Sequence, residues 1–373
     1  MKDYLGRDTF KLGFGLMRLP KLADGSIDIP QVCVMADRFI EAGGTYFDTA
    51  YVYDNGASEA AFRAAVADRY PRDRYTLCTK LNAWHHCHDE ESAKQQFWTS
   101  LERTGAGYFD YYLLHALQLS NYHLYDDYHL WDFMAELKDK GLIRHWGFSF
   151  HADPELLEKL LDAHPEIDFV QLQINYADWE NPGVASRRNW EICMDHGKPV
   201  TIMEPVKGGV LANPIPAVRA VLDRGDTGWS YAGWALRYAA SLDGIITVLS
   251  GMSNIAQMED NLRCMKDFRP LDDAGRALMS EAQQAWSNDR SIPCTGCRYC
   301  VDGCPMRIPI PDIFTVSNRS TGSVHFRTVR EYGIVTKDKG KASDCIRCGQ
   351  CEAACPQHLP IIELLQQCRE LEQ

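Results

Sequence analysis

The chain has 373 residues, 45% hydrophobic and 24% charged, a balance that excludes intrinsic disorder and leaves room for a sizeable core and two domains. Its formal net charge of -12, with 39 Lys and Arg against 51 Asp and Glu, excludes a general nucleic-acid binder, because phosphate affinity needs concentrated positive charge. No apolar run reaches the roughly 18 residues of a membrane span and Met1 to Pro20 holds none of signal-peptide length, so a soluble, cytoplasmic protein is expected, with neither a nucleic-acid nor a membrane partner.

From Lys11 to about Met265, short β-branched or aromatic runs alternate with longer amphipathic stretches. That alternation is the signature of a parallel sheet with crossover helices. In chain order the predicted strands are Phe14–Arg18, Thr45–Thr49, Tyr75–Lys80, Tyr108–His115, Ile143–Ser149, Phe169–Asn175, Pro199–Met203 and Ile245–Ser250. Between the fifth and sixth, Pro154–Leu161 predicts a helix, with Asp153 as its N-cap and Leu156, Leu157, Leu160 and Leu161 at helical spacing. Eight strands and a body near the roughly 250 residues typical of a TIM barrel predict an α/β protein, a (β/α)8 barrel over residues 1–275. A doubly wound dinucleotide fold is the competitor. Its glycine fingerprint is missing, since the nearest match, Gly13 to Arg18, has Arg18 at the third glycine.

In such a barrel the chemistry sits where the strands end at their C-terminal side. Strand two ends at Asp48, with Tyr53 five residues on; strand three ends at Lys80 and strand four at His115. In order and spacing this Asp, Tyr, Lys and His set resembles the aldo-keto reductase family over about the first 265 residues. The resemblance implies hydride transfer from NADPH or NADH to a small-molecule carbonyl, with these four residues as the catalytic group. The chemistry agrees: hydride addition makes an alkoxide that needs a proton donor, and a phenol with a free pKa near 10 is a poor acid near neutrality unless a cation helps it. Lys80 is expected to favour the tyrosinate of Tyr53, Asp48 to hold Lys80, and His115 to donate a hydrogen bond to the substrate oxygen.

The same resemblance implies a cofactor cleft. Gly15, Leu16 and Met17 after strand one line it, Ser149 and Gln171 hold the carboxamide, and Met203 stands where the family places an aromatic ring on the nicotinamide. Around strand eight, Ser250, Met252, Gln257, Asp260 and Asn261 take the adenosine end. Two departures stand out: Phe150 replaces the family's Asn, and Gly251 and Gln257 replace the Lys and Arg of NADPH-preferring members. Without those cations, weak discrimination between NADPH and NADH is expected. The loops after strands three and four, rich in Trp84, His85, His86, His88, Tyr122, Tyr125, Tyr128 and Trp131, are expected to form either an aromatic substrate wall or packing against the barrel. The histidine run as a metal site is a weak alternative, because neighbouring loop histidines rarely converge on one ion.

Five of the 14 cysteines are scattered through the first 264 residues, and eight of the other nine form two clusters, with Cys368 alone. Cys294, Cys297, Cys300 and Cys304 have C-x2-C-x2-C-x3-C-P spacing, and Cys345, Cys348, Cys351 and Cys355 repeat it. That is the bacterial ferredoxin run, in which the fourth Cys ligates the other cluster. Residues 276–373 are therefore expected to be a linker and a small α+β ferredoxin-like domain with two 4Fe-4S clusters and a C-terminal helix. One cluster would use Cys294, Cys297, Cys300 and Cys355, the other Cys345, Cys348, Cys351 and Cys304. Zinc is the alternative for C-x2-C pairs, but a zinc site has no use for a third Cys and a Cys-Pro in each repeat. The segment 305–344, with Ser317, Asn318, Ser320, Thr321, Gly322 and Ser323, is longer than a compact ferredoxin needs and is expected to form an extra loop near the barrel.

Barrel and tail together resemble the iron-sulfur branch of the aldo-keto reductases. The leading expectation is a carbonyl reductase coupled to or fed by its clusters, with an electron-transfer protein as partner. Nicotinamide passes two electrons as hydride whereas a cluster passes one, and no flavin motif joins them. The alternatives are therefore a nicotinamide-independent reductase receiving single electrons, a non-enzymatic carrier or redox sensor, and clusters that serve only as structural staples.

Overall fold

The computed structural model describes residue 5 and residues 10–85, 87–287, 291–319 and 326–372. The chain divides into two compact units: one comprises 1–206 and 211–283, the other 207–210 and 284–373.

In the first unit eight parallel strands close in sequence order into a barrel: β1 (Leu12–Gly15), β2 (Tyr46–Asp48), β3 (Thr76–Leu81), β4 (Phe109–Leu117), β5 (Ile143–Phe150), β6 (Phe169–Gln173), β7 (Val200–Met203) and β8 (Ile245–Gly251). All eight predicted strands exist. β1 ends earlier than expected, because Leu16–Arg18 wind into a 3-10 turn where the chain leaves the sheet. The closing register pairs Gly15 of β1 with Gly251 of β8.

Helices cover the barrel because their apolar faces need burial. In Pro154–Ala163, the Asp153 side chain accepts from the Leu156 N–H at 2.9 Å, and Leu156, Leu157, Leu160 and Leu161 are buried in the core around the strands. Each such leucine contributes about 1.5–3 kcal/mol. Inside the barrel Tyr46, Cys78, Tyr111, Leu113, Phe169, Ile246 and Leu249 fill the bore, so it is a packed core rather than a pore. Closure depends on Gly147 in β5: a Cβ there would stand 1.8 Å from the Phe169 carbonyl oxygen of β6. Only glycine permits that approach.

The second unit contains no strand among its described residues, so the strand content expected of an α+β ferredoxin domain is replaced by short helices. The expected loop over 305–344 is likewise corrected. Ile310–Arg319 and Phe326–Val335 are helices, and Ile310, Ile313, Phe314, Val316 and Tyr332 pack with Ile361, Leu365 and Cys368 into the unit's own core. The apolar residues at 310, 313 and 314 repeat at helical spacing, which is why a helix forms there. Of the residues named for that loop, Ser320, Thr321, Gly322 and Ser323 lie outside the described residues. Among the described residues no helix is long and apolar enough to cross a membrane.

Candidate active site and cluster-binding loops

At the C-terminal rim of the barrel, β2, β3 and β4 bring the four predicted catalytic residues together. Lys80 is 0% exposed. A buried ammonium is costly unless paired and hydrogen-bonded. Its Nζ donates to Asp48 Oδ1 at 2.5 Å and to the Thr49 carbonyl at 2.6 Å, and Gln171 Nε2 donates to the other carboxylate oxygen at 3.1 Å. Asp48 is thereby fixed from β6 as well as from β3. Tyr53 stands in the turn after β2, its ring centroid 4.9 Å from Lys80 Nζ and 5.7 Å from the His115 ring.

The electrostatics correct one expectation. Tyr53 is only half-buried as a residue, yet loss of water at its phenol, followed by the negative charge of Asp48, pushes the phenol well above its ordinary value of 10; Arg18 opposes this and Glu204 adds to it. Desolvation of the phenol outweighs the favour that the nearby Lys80 ammonium gives to the tyrosinate. The phenol keeps its proton. His115 is held neutral: burial first, then the positive charge of Lys80, drives its pKa well below 6.5. Its Nδ1 is buried with no hydrogen-bond partner among the described residues.

Of the aromatic loop residues, Tyr125 and Trp131 are buried in the core, which is the packing outcome. Tyr125 donates its hydroxyl to the His115 carbonyl, and Trp131 stacks on His164 at 3.7 Å. Trp84 is different. It is half-buried, its Nε1 donates to the His115 carbonyl at 3.3 Å, and its ring lies 6.3 Å from the His115 ring. Trp84 thus flanks the rim residues through its ring. His86 lies outside the described residues.

In the second unit none of the eight motif cysteines forms a disulfide among the described residues, and they gather as two sets. One cavity is lined by Cys294, Cys297, Cys300 and Cys355 together with Thr295, Gln357 and Phe314; a second by Cys345, Cys348, Cys351 and Cys304 with Ile308, Ile346 and Leu365. In each, three cysteines of one repeat meet the fourth of the other. The cavities leave about 310 and 330 Å³ unfilled by atoms, open mouths included. Among the described residues no three Cys, His, Asp or Glu side chains close on a single metal ion. The spacing suits a multi-iron cluster better than zinc, whose four sulfurs would each stand about 2.3 Å from one centre. Arg298 is tied to Asp312 at 2.9 and 3.0 Å, and Asn318 clasps both backbone groups of Ile292 at 2.8 Å, so the helix Ile310–Arg319 steadies the first loop from both ends.

Residues 11–283 match the family model described as the aldo/keto reductase family, and residues 293–359 match that of a 4Fe-4S dicluster domain. The chain belongs to the aldo/keto reductase family. It is an oxidoreductase carrying a C-terminal 4Fe-4S dicluster domain. Among curated relatives, the methylglyoxal reductase DkgA of Yersinia pestis is 28% identical over 56% of this chain and 71% of its own length. An aldo-keto reductase of Mycolicibacterium vanbaalenii is 30% identical over 64% and 79%. Among solved structures, a holo-form aldo-keto reductase from Bacillus halodurans superposes with a TM-score of 0.61 at 24% identity, covering 74% of this chain and 92% of that one. One from Klebsiella pneumoniae in complex with NADPH superposes with a TM-score of 0.57 at 22% identity, covering 72% and 89%.

In this aldo/keto reductase the residues expected around a nicotinamide cofactor lie on or just after β1, β5, β6, β7 and β8, with Gln257, Asp260 and Asn261 in the helix Ile255–Met265, and most of them have partners within the barrel. Ser149 Oγ accepts the Ala116 N–H at 2.7 Å; Ala116 has φ +56° and marks a register shift in β4. Gln171 is bonded to Asp48. At the other end, Asn261 Nδ2 donates to Ser250 Oγ at 2.7 Å, Gln257 Oε1 accepts the Ser253 N–H at 2.7 Å, and Asp260 accepts from Ser230 and Arg263 at 2.5 and 2.6 Å. Gly15, Leu16 and Met17 follow β1, Met203 ends β7, and Met252 is buried after β8.

Two residues at this mouth were missed. Glu204, next after Met203, has φ +55°, and its Oε1 lies 3.6 Å from Arg18 Nη2 while Oε2 is buried with no hydrogen-bond partner among the described residues. Arg18 is anchored through its carbonyl, which accepts from Ser253 Oγ at 2.8 Å. The signal was positional: Glu204 directly follows β7 and Arg18 stands three residues after β1, on the loops where barrel enzymes carry their chemistry.

Proposed function

We propose that the barrel reduces an aldehyde or ketone by hydride transfer from NADPH or NADH, with Tyr53 as proton donor. We infer further that the tail holds two 4Fe-4S clusters through its eight motif cysteines and exchanges single electrons with a partner protein. One observation carries the barrel half: a protonated phenol, a neutral imidazole and a buried ammonium–carboxylate pair share one rim. The NADPH held by the Klebsiella pneumoniae structure and the name methylglyoxal reductase of the Yersinia pestis relative support a nicotinamide and a small carbonyl substrate.

A bound nicotinamide would supply the hydride to the carbonyl carbon. The chain's residues deal with the oxygen. His115, neutral at physiological pH, orients the carbonyl with a ring N–H, and Tyr53 gives its proton to the oxygen as negative charge develops there. The phenolate left on Tyr53 faces the Lys80 ammonium, so the cation that does not ionise the resting phenol still favours it once the proton has gone. Asp48 and the Thr49 carbonyl hold Lys80 in position. In the tail, bound clusters would supply one-electron chemistry; the thiolates hold them, and Thr295 and Gln357 close the first cavity. A second reading, a barrel site working without nicotinamide, is favoured by the internal bonding of Ser149 and Gln171.

The test is an anaerobic titration of cluster-loaded protein with NADPH and separately NADH, following cofactor fluorescence and cluster absorbance together. Binding of both with similar Kd, together with turnover of a small aldehyde, is the expected result. NADPH tighter by a hundredfold would refute the weak preference, and no binding of either would transfer the assignment to the nicotinamide-independent reading.

A further inference from the structure

The two cysteine-lined cavities meet solvent differently. In the first, Cys300 and Cys355 are buried, as are Thr295 and Gln357 in the same lining. In the second, Cys345 is half-buried and Cys348 exposed, and two large apolar side chains of its lining stand in water: Ile346 is 59% exposed and Met306 37%. Singly such residues are ordinary. Two of them at one cavity, together with an exposed thiol, make a small apolar patch at a redox-competent site.

Cys304, the thiol that the first repeat lends to the second cavity, also lines an open cleft of about 740 Å³, mouth included. Arg307 and Lys339 stand in the wall of that cleft with Arg298, Asp302 and Asp338. The two segments that carry them are clasped: Arg307 Nη2 donates to the Asp338 carbonyl at 3.0 Å, and the Gly340 N–H donates to the Arg307 carbonyl at 3.3 Å. A Cβ on Gly340 would stand 2.2 Å from the Met306 carbonyl oxygen, so only glycine lets the segments lie this close. Arg347 lines the second cavity itself, and no carboxylate shares that lining among the described residues. Along 302–307 and 337–347 the exposed cations Arg307, Lys337, Lys339, Lys341 and Arg347 outnumber the exposed carboxylates Asp302, Asp338 and Asp344; Arg298 is matched by Asp312. In a chain of net charge -12, this is a local reversal of sign.

Resting on the reading that these cysteines hold iron-sulfur clusters, we propose that the mouth of the second site is the docking surface for a small acidic one-electron carrier protein. Ile346 and Met306 form its apolar centre, and Arg307, Lys339 and Arg347 its cationic rim. An apolar centre with a charged edge is the anatomy of a protein interface, and electron-transfer encounters need only a small one. Opposite charges across it steer the encounter more than they add affinity. The net charge of -12 repels an acidic carrier from the rest of the chain, so the basic loops also decide where it lands. One electron leaves the carrier and one is gained at the second site, or the reverse, with no bond made and no proton moved.

The experiment is anaerobic stopped-flow electron exchange between cluster-loaded full-length protein and a plant-type 2Fe-2S ferredoxin, a small acidic carrier, mixed in both redox directions so that the downhill one is observed. Basic cytochrome c is the control carrier, and iron and acid-labile sulfide are measured on every variant. At low salt the second-order rate constant with ferredoxin should fall about tenfold or more in Lys339→Glu/Arg347→Glu, and the wild-type rate should drop towards the variant's at high salt. Lys339→Glu alone, which leaves the cysteine stretch untouched, should cost about threefold, half of that fall on a logarithmic scale if the two charges act independently. Lys266→Glu/Arg269→Glu, an equal change of charge on exposed residues of the barrel unit, should alter the rate by less than about twofold. Equal falls in the two double variants, no exchange with ferredoxin in either direction, or faster exchange with cytochrome c that Lys339→Glu/Arg347→Glu leaves unchanged would each overturn the proposal. So would a wild-type dimer in sedimentation that Lys339→Glu/Arg347→Glu dissociates, which would give the face to a second copy of the chain. If wild-type protein takes up no iron and sulfide, the cluster reading itself fails, a result separable from all of these.

Discussion

The barrel rim and the cysteine tail assemble chemistry in opposite ways. The tail takes three of the four cysteines of each cavity from a single seven-residue stretch, borrowing only the fourth from the other repeat. The rim takes Asp48, Lys80, His115 and Gln171 from four different strands, so that Gln171 meets Asp48 across 123 residues of chain. A site built locally depends on its metal for order, whereas one built across a closed barrel is ordered by the core. The two should therefore fail independently.

Removing iron is the largest expected effect. With a chelator and reductant the tail should lose helical circular dichroism and become protease-sensitive while the barrel keeps its own thermal transition; simultaneous melting of both would break the contrast. Tyr53→Phe comes next: carbonyl reduction should fall by about 10² to 10⁴ in kcat with iron content and Tm unchanged, because only the proton donor is removed. Unaltered turnover would strip Tyr53 of its role.

The smallest effect is a pH dependence confined to the barrel. His115 has a folded pKa well below its unfolded value of about 6.5. Between the two values the unfolded chain binds the proton and the folded one does not, so this contribution to stability is complete above about pH 6.5 and is lost as pH falls below it. At one unit below 6.5 the loss is about 1.4 kcal/mol at most. Urea unfolding of wild type and His115→Gln at pH 7.5 and 5.5 should show the variant losing less stability on acidification; equal losses would mean that His115 protonates freely in the folded barrel.

Legibility followed the same division. The crossed sets of four cysteines were readable because each repeat has the bacterial ferredoxin spacing, in which the fourth Cys serves the other cluster, and the eight strands were readable because their apolar runs recur between amphipathic helices. The helices of 305–344 are harder to read: Ile310, Ile313 and Phe314 carry the helical spacing, but the polar residues from Ser317 to Ser323 that follow them have the composition of a loop. The rim residues were found from their positions at strand ends, but their protonation states were not. The expectation for Tyr53 weighed the Lys80 cation, held by Asp48, and left out the desolvation of the phenol.

By itself, then, the sequence determined the barrel, the cysteine loops and the order of the rim residues, because periodicity and local spacing are properties of the chain. Tertiary structure alone decided that Gln171 braces Asp48, that Ser149 holds the bulge in β4, that Glu204 faces Arg18, and that Lys207 is buried beside Gln357. Each of these joins residues 33 to 186 positions apart in the sequence, and both the partner and the loss of water that gives the contact its strength exist only once the chain has packed.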